Sequence, residues 1–265
     1  ITDRNGKVLV SSRSSYNLTF DSSLLKDGED ESEAILRLLE FCQEQQLSWS
    51  DSLPVTQAPP FSYTIENLGS TLQKRFLVYL KDLSSVTDAL GAYLLEHPEL
   101  LEETDEEGNT SNPADEILED TELSDAQKAD DLVDLLEEHH ITAQLLTEAG
   151  ISASDLISLM REDFDIPASF TEEEARLVLG VQYEQRSRYL SNATSYVLVE
   201  DIDVETISLL NDGGYSGAQI TSSSVREYET TYASHILGYT TPLYRDRDNM
   251  EELAQKGYDG DDYIG

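Results

Sequence analysis

Residues that alternate with period two stand at both ends of this 265-residue chain, and residues 31–190 between them follow a helical period. Two-residue alternation marks strands with one buried face, and a strand without partners is not stable in water. The two β-rich ends are expected to pair with each other. Near the N-terminus, Ser15-Tyr16-Asn17-Leu18-Thr19-Phe20 alternates cleanly, and the β-prone Lys7-Val8-Leu9-Val10 precedes it. Asn5-Gly6 just before is a hairpin-type turn signal, because both residues tolerate positive φ. Near the C-terminus, Ser195-Tyr196-Val197-Leu198-Val199, residues 220–228 and residues 235–239 read as strands. A short helix over 203–210, stopped by Gly213-Gly214, lies among them. The expected fold is α+β: a β-rich base from residues 1–30 plus 191–265, and a mainly helical head, residues 31–190, inserted between them.

Within the head, apolar residues recur at spacings of three and four over 34–47, 72–95, 132–136 and 175–190. Thr171-Glu172-Glu173-Glu174 is a capping box for the last of these, with Arg186 and Arg188 near its far end, where the helix dipole favours cations. Residues 142–149 read as a short helix stopped by Gly150, and residues 49–62, with Pro54, Pro59 and Pro60, as a loop. Cys42, the single cysteine, falls on the stripe Ile35, Leu38/Leu39, Cys42 and reads as a small buried hydrophobe. It rules out an internal disulfide and any multi-cysteine metal site.

Charge narrows the function classes. The chain carries 17 Lys+Arg against 54 Asp+Glu, a formal net charge of −37. Phosphate backbones and anionic membrane surfaces select for cations, so nucleic-acid binding is excluded as an expectation. Like-charge repulsion also argues for a monomer in dilute buffer. Residues 96–138 hold 18 of the acidic residues and one basic residue, Lys128, interrupted by Gly108-Asn109-Thr110-Ser111-Asn112-Pro113, which reads in part as a mobile loop. A solvated acidic face is one reading; a docking surface for a basic partner or divalent cations is the other. No run of 18 apolar residues is present to span a bilayer. The chain opens on Ile1, and the expectation is that a segment upstream has been removed.

Motifs for catalysis are weak. Asp246-Arg247-Asp248-Asn249-Met250 begins like a calcium loop but lacks the glycine at its sixth position, and Asp259-Gly260-Asp261-Asp262 has the wrong spacing. The histidines are His97, His139, His140 and His235; the adjacent pair points about 100° apart on a helix, and a zinc-protease helix needs two histidines four apart. Ser23-Leu24-Leu25-Lys26 fits Ser-x-x-Lys, yet the accompanying motifs are missing or misplaced. Neither a cofactor nor a metal is expected, and Ser23 reads as a surface residue.

The two ends also carry signatures. Ile1-Thr2-Asp3-Arg4-Asn5-Gly6-Lys7-Val8-Leu9-Val10 resembles the segment that lies just outside the membrane anchor of class B penicillin-binding proteins. Val225-Arg226-Glu227-Tyr228-Glu229-Thr230-Thr231-Tyr232-Ala233-Ser234-His235-Ile236-Leu237-Gly238-Tyr239 resembles a second signature, matching at Arg226, Tyr228, Ala233, His235 and Gly238. Glu229 and Thr231 stand where that family has proline and glycine. Residues 253–265, ending on Gly265, are similar to the passage that leads into the transpeptidase domain. Residues 171–190 running into 196–201 resemble the elongation-type, penicillin-binding protein 2-like branch.

The resemblance implies a non-catalytic extracytoplasmic pedestal, the penicillin-binding protein dimerisation domain, of a peptidoglycan D,D-transpeptidase. It implies an N-terminal membrane anchor on the outer face of the bacterial cell membrane and a catalytic domain beyond Gly265. The implied partners are that domain, a membrane-embedded glycosyltransferase and other cell-wall synthesis proteins. Asp3, Arg4, Asn5 and Gly6 would form a polar corner with an Asp–Arg pair, Arg226 would join subdomains, and His235 would be a hydrogen-bonded structural histidine. Tyr228, Gly238 and Gly265 would be further structural positions. Two other readings stay open: a free-standing acidic extracytoplasmic adaptor, with calcium as an influence, and a small serine acyltransferase using Ser23 and Lys26.

Overall fold

A computed structural model describes residues 1–104, 110–136, 141–192, 195–230, 241–242 and 263–264. In chain order the elements are β1 (Val10–Phe20), α1 (Glu31–Glu44), α2 (Ser70–Asp82), α3 (Ser84–Glu96), β2 (Glu103–Thr104), β3 (Thr110–Ser111), α4 (Ala114–Glu119), α5 (Asp125–Leu135), α6 (Ala143–Glu148), α7 (Ala153–Asp163), α8 (Glu172–Leu190), α9 (Val204–Gly213), β4 (Ala218–Tyr228), β5 (Thr241–Pro242) and β6 (Tyr263–Ile264). The fold is α+β. Its two compact units are residues 1–50 with 192–265, and residues 51–191.

The first unit is built on the pairing of the two ends. Strands β1 and β4 run antiparallel in one unbroken register, from Val10 opposite Tyr228 to Phe20 opposite Ala218. Helix α1 belongs to this unit, so the units divide some twenty residues later than the change in periodicity at residue 30 suggests. Its start is chemical: the Asp30 side chain accepts from the Glu33 amide at 2.9 Å, while Glu31 and Glu33 sit in the first turn, where the dipole favours anions. Its apolar face buries Ala34, Ile35, Leu38, Leu39, Phe41 and Cys42, and Phe41 meets Tyr215 at 4.9 Å between ring centroids. Helix α9 starts on Asp203, which accepts from Thr206, and ends at Gly214 in the left-handed conformation.

Residues 195–199 do not form the expected strand. Their backbone is committed at single points: Leu18 exchanges hydrogen bonds with Val199 and Leu198, and the Leu198 carbonyl accepts from Ser50. Tyr196 donates its hydroxyl to the Ser50 carbonyl. With its polar groups spent on two different segments, the stretch makes one isolated bridge and no ladder. Residues 235–239 lie outside the described residues.

The second unit is organised around α8, which is buried on nearly all sides from Ala175 to Glu184 and again at Ser187. A helix covered all round is a central one. Its start is the capping box read from the sequence: Thr171 accepts from the Glu174 amide, and the Glu174 carboxylate accepts from the Thr171 amide. Helices α2 and α7 pack on it. Tyr79 of α2 meets Tyr183 of α8 edge to face at 5.1 Å. The 72–95 periodicity, which suggests one helix, is broken at Leu83, which caps both α2 and α3. Breaking there lets α3 turn its own buried face, Val86, Leu90, Gly91 and Leu94, onto α5. Helix α7, not anticipated, has its own capping box from Ser152 and Asp155. The stretch 49–62 carries no helix or ladder, only a bridge between Val55 and Tyr63 at its edge. Within the 108–113 interruption, Thr110 and Ser111 form β3, which pairs with β2.

Helices α3 and α5 approach so closely that Gly91 has no room for a side chain. A Cβ there would stand 2.7 Å from the Ala129 Cβ and 2.9 Å from its carbonyl oxygen. Alanine gains about 1 kcal/mol of helix propensity over glycine, whereas overpacking costs about 1–3 kcal/mol. Gly91→Ala therefore lowers stability, by up to about 2 kcal/mol, as read from the midpoint of urea unfolding.

Candidate functional site

Residues 3–7, where the sequence suggests a polar corner, form a hydrogen-bonded turn. Gly6 adopts φ +81°, its amide donates to the Asp3 carbonyl at 3.0 Å, and the Asp3 amide donates to Lys7 at 2.8 Å. The Asp3 carboxylate accepts from the amides of Asn5 and Lys7 at 2.8 and 2.9 Å. Those bonds take the place of the expected pair with Arg4, whose side chain is exposed. Hydrogen bonds to the charged form hold the Asp3 carboxyl below its ordinary range. The corner is thus a capped turn, and Thr2 bridges Val8 across it.

From this corner the chain enters β1, where it meets β4. Val10 lies opposite Tyr228, Ser12 opposite Arg226, and the Glu229 amide donates to Leu9 at 2.9 Å. The two end signatures are therefore neighbours on adjacent strands. The Arg226 guanidinium lies over the Tyr228 ring, 5.6 Å from its centroid. His235, Gly238 and Gly265 lie outside the described residues.

The ladder is pinned by an arginine that sequence reasoning passed over. Arg13 on β1 donates to both carboxylate oxygens of Asp201, with Nη1 at 2.7 Å, and through Nε to Glu227 of β4 at 2.7 Å. Ser15 adds a hydrogen bond to Asp201 at 2.6 Å, and Asp201 itself sits at φ +57°. A bidentate fork of this kind is the geometry guanidinium selects. It draws β1, β4 and the segment before α9 into one network. The available signal was scarcity: in a chain this poor in cations, an arginine inside a serine run has a structural errand.

In the second unit a stripe on α8 went unread in the sequence: Arg176, Gly180, Glu184 and Arg188, each one turn apart on one face. The segment 51–55 lies along it. Arg176, 1% exposed at its side chain, donates to Asp51 at 2.9 and 3.3 Å, to the Leu53 carbonyl at 3.0 Å and to the Val55 carbonyl at 2.8 Å. Gly180 leaves room for the Asp51 carboxylate, which would sit 2.8 Å from a Cβ. Buried Glu184 accepts from the Ser52 amide at 2.8 Å and from Arg188 at 2.9 Å, with Arg75 at 3.9 Å. Buried charges persist only when paired and fully hydrogen-bonded, and this cluster meets that condition.

Other candidate chemistry does not assemble. Ser23 stands exposed on a single 3-10 turn, its amide bonded to Asp21 at 2.9 Å, and Lys26 is exposed with its amide on Glu29. Cys42 is buried, and burial pushes its thiol up to about 12. Among the described residues, no three of His, Cys, Asp and Glu are grouped to hold a metal ion, and no helix is long and apolar enough to cross a membrane. His139, His140 and the stretches 246–250 and 259–262 lie outside the described residues.

Both ion-pair networks join segments that are far apart in the chain. The chain belongs to the penicillin-binding protein dimerisation domain family, whose model matches residues 1–265. It is the non-catalytic part of penicillin-binding proteins, which are transpeptidases. No curated protein matches the chain. Among solved structures it is similar to penicillin-binding protein 2B of Streptococcus pneumoniae strain 5204, at 13% identity and a TM-score of 0.38, with all of this chain and 31% of that one covered. The same protein from strain R6 aligns at 13% identity and a TM-score of 0.30, covering all of this chain and 30% of that one. The chain thus spans less than a third of either.

Two outcomes follow from the networks. Arg176→Met leaves the Asp51 carboxylate buried without its partner and the Leu53 and Val55 carbonyls without their donor, and costs about 3–5 kcal/mol; adding Asp51→Leu recovers only the part due to the unpaired carboxylate, as a double-mutant cycle of unfolding free energies reads out. Asp201, held down to about 2 by Arg13 and Ser15 against an ordinary 3.8, contributes stability that is present above the ordinary value. That stability is lost as pH falls toward the folded value. The pair is more than a third exposed, so the effect is small. The stability gap between the natural protein and Asp201→Asn should close between about pH 4 and pH 2, measured by denaturant unfolding across that range.

Proposed function

We propose that this domain is the pedestal of a class B, elongation-type penicillin-binding protein. It stands on the extracytoplasmic face of the bacterial membrane and carries the transpeptidase domain of its parent protein at a distance from the bilayer. The β-rich base sits next to the anchor and the transpeptidase domain, and the helical unit is the surface offered to a membrane-embedded glycosyltransferase and other cell-wall synthesis proteins. The fragment itself is a monomer in dilute buffer, kept apart by its net charge.

The observation that carries this reading is the pairing of β1 with β4. It brings Val10, at the end of the residues 1–10 signature, opposite Tyr228 of the second signature, which supports the reading that the two signatures act together as one base. A ladder that ties the start of the chain to residues 218–228 suits a domain that joins one body to another. The 171–190 resemblance supports the elongation-type assignment.

The parent gene tests it. The expected sequence has an apolar anchor before Ile1 and, after Gly265, Ser-x-x-Lys, Ser-x-Asn and Lys-[Ser/Thr]-Gly in that order. The full-length protein should take up a fluorescent β-lactam, and residues 1–265 alone should not. A reading frame that ends near Gly265 overturns the proposal.

A further inference from the structure

The capped turn at the start of the chain contains the one Asn-Gly dipeptide in the sequence, Asn5-Gly6. Both residues are exposed, and nothing lies within 4 Å of where a Gly6 Cβ would stand. An asparagine side chain is open to attack by the amide nitrogen of the residue that follows it. A side chain on that residue shields the nitrogen, and glycine has none. We propose that Asn5 is a site of spontaneous deamidation and that Asp3 sets its rate.

In the reaction the Gly6 amide nitrogen loses its proton to solvent base and bonds to Asn5 Cγ. Nδ2 takes a proton from solvent and leaves as ammonia, closing a five-membered succinimide. Water then adds to either ring carbonyl and breaks its bond to nitrogen. One route returns aspartate at position 5; the other gives isoaspartate, in which the backbone runs through Cβ and Cγ.

Asp3 restrains this step twice over. Gly6 N–H donates to the Asp3 carbonyl at 3.0 Å, and the attacking nitrogen must leave that bond. The Asn5 and Lys7 amides are held by the Asp3 carboxylate at 2.8 and 2.9 Å, which resists the backbone rotation that brings nitrogen to Cγ. The same negative charge disfavours an anionic nitrogen beside it. Once isoaspartate forms, the turn gains a backbone atom and a second carboxylate. Both work against the Thr2–Val8 bridge and the Asp3-to-Lys7 hydrogen bond.

Three other asparagines serve as internal comparators: Asn17 precedes Leu18 inside β1, Asn211 precedes Asp212 inside α9, and Asn112 precedes Pro113, which has no amide proton. The test holds the protein in warm, mildly alkaline buffer, then reads each asparagine-containing peptide by mass and isoaspartate by enzymatic methyl labelling. It is run beside a synthetic peptide of residues 1–10 and the variants Asp3→Ala and Asp3→Asn, with melting curves to show that each variant is folded. Asn5 should convert several-fold faster than Asn17 and several-fold slower than in the free peptide. Asp3→Ala should convert several-fold faster than the natural protein. Asp3→Asn, which keeps an acceptor and loses the charge, should fall between them. The proposal is overturned if Asn5 converts no faster than Asn17, or if neither Asp3 variant ages faster than the natural protein.

Discussion

Everything in the first unit depends on a pairing between segments some two hundred residues apart. Joining residues 10–20 to residues 218–228 closes a very long loop, and the entropy of closure must be met before any ladder bond returns a gain. The cost grows only slowly with length, so a large insertion is tolerable provided the ends recognise each other strongly. Recognition here has three parts. The ladder is continuous over eleven residues, Leu18 and Phe20 reach the core, and Arg13 bridges to Asp201 and Glu227. The strand middles carry serines, which pack weakly and specify register poorly. A charged fork at a fixed position supplies the register that the serines cannot.

The second unit meets a similar problem with different chemistry. Residues 51–55 have no regular structure, yet their carbonyls at Leu53 and Val55 are buried against α8 and need donors. Arg176 supplies them with one planar group while also pairing Asp51. One turn on, Gly180 leaves the space that the Asp51 carboxylate occupies, and Glu184 accepts from the Ser52 amide. A lysine at 176 could not reach the same set, because its donors radiate from a single nitrogen.

Charge has two separate lives in this protein. The excess of carboxylates is mostly spent on the surface, where it keeps the domain hydrated and repels like surfaces. The few arginines are spent on geometry. Arg13, Arg75, Arg176, Arg186 and Arg188 each join elements or turns that the hydrophobic pattern alone would leave loosely placed. An acidic chain with scarce cations makes each of them specific.

Local signals determined much of the secondary structure. The capping boxes and N-caps at Thr171, Thr142 and Asp203 start helices where the sequence places them, and Gly150 and Gly214 adopt the left-handed backbone that ends two of them. Such signals act within one turn, so they are legible without a partner. The end signatures were legible for the same reason, as contiguous motifs. What the sequence could not decide is where backbone groups find partners far away. Residues 195–199 have strand composition but spend their bonds on Ser50 and Leu18, and the helical stretch 72–95 divides at Leu83 because each half buries its own face. The partners of Arg13 and Arg176 could not be read from the sequence, because Asp201 and Asp51 lie 188 and 125 residues away. Only the tertiary fold brings such partners within hydrogen-bonding reach.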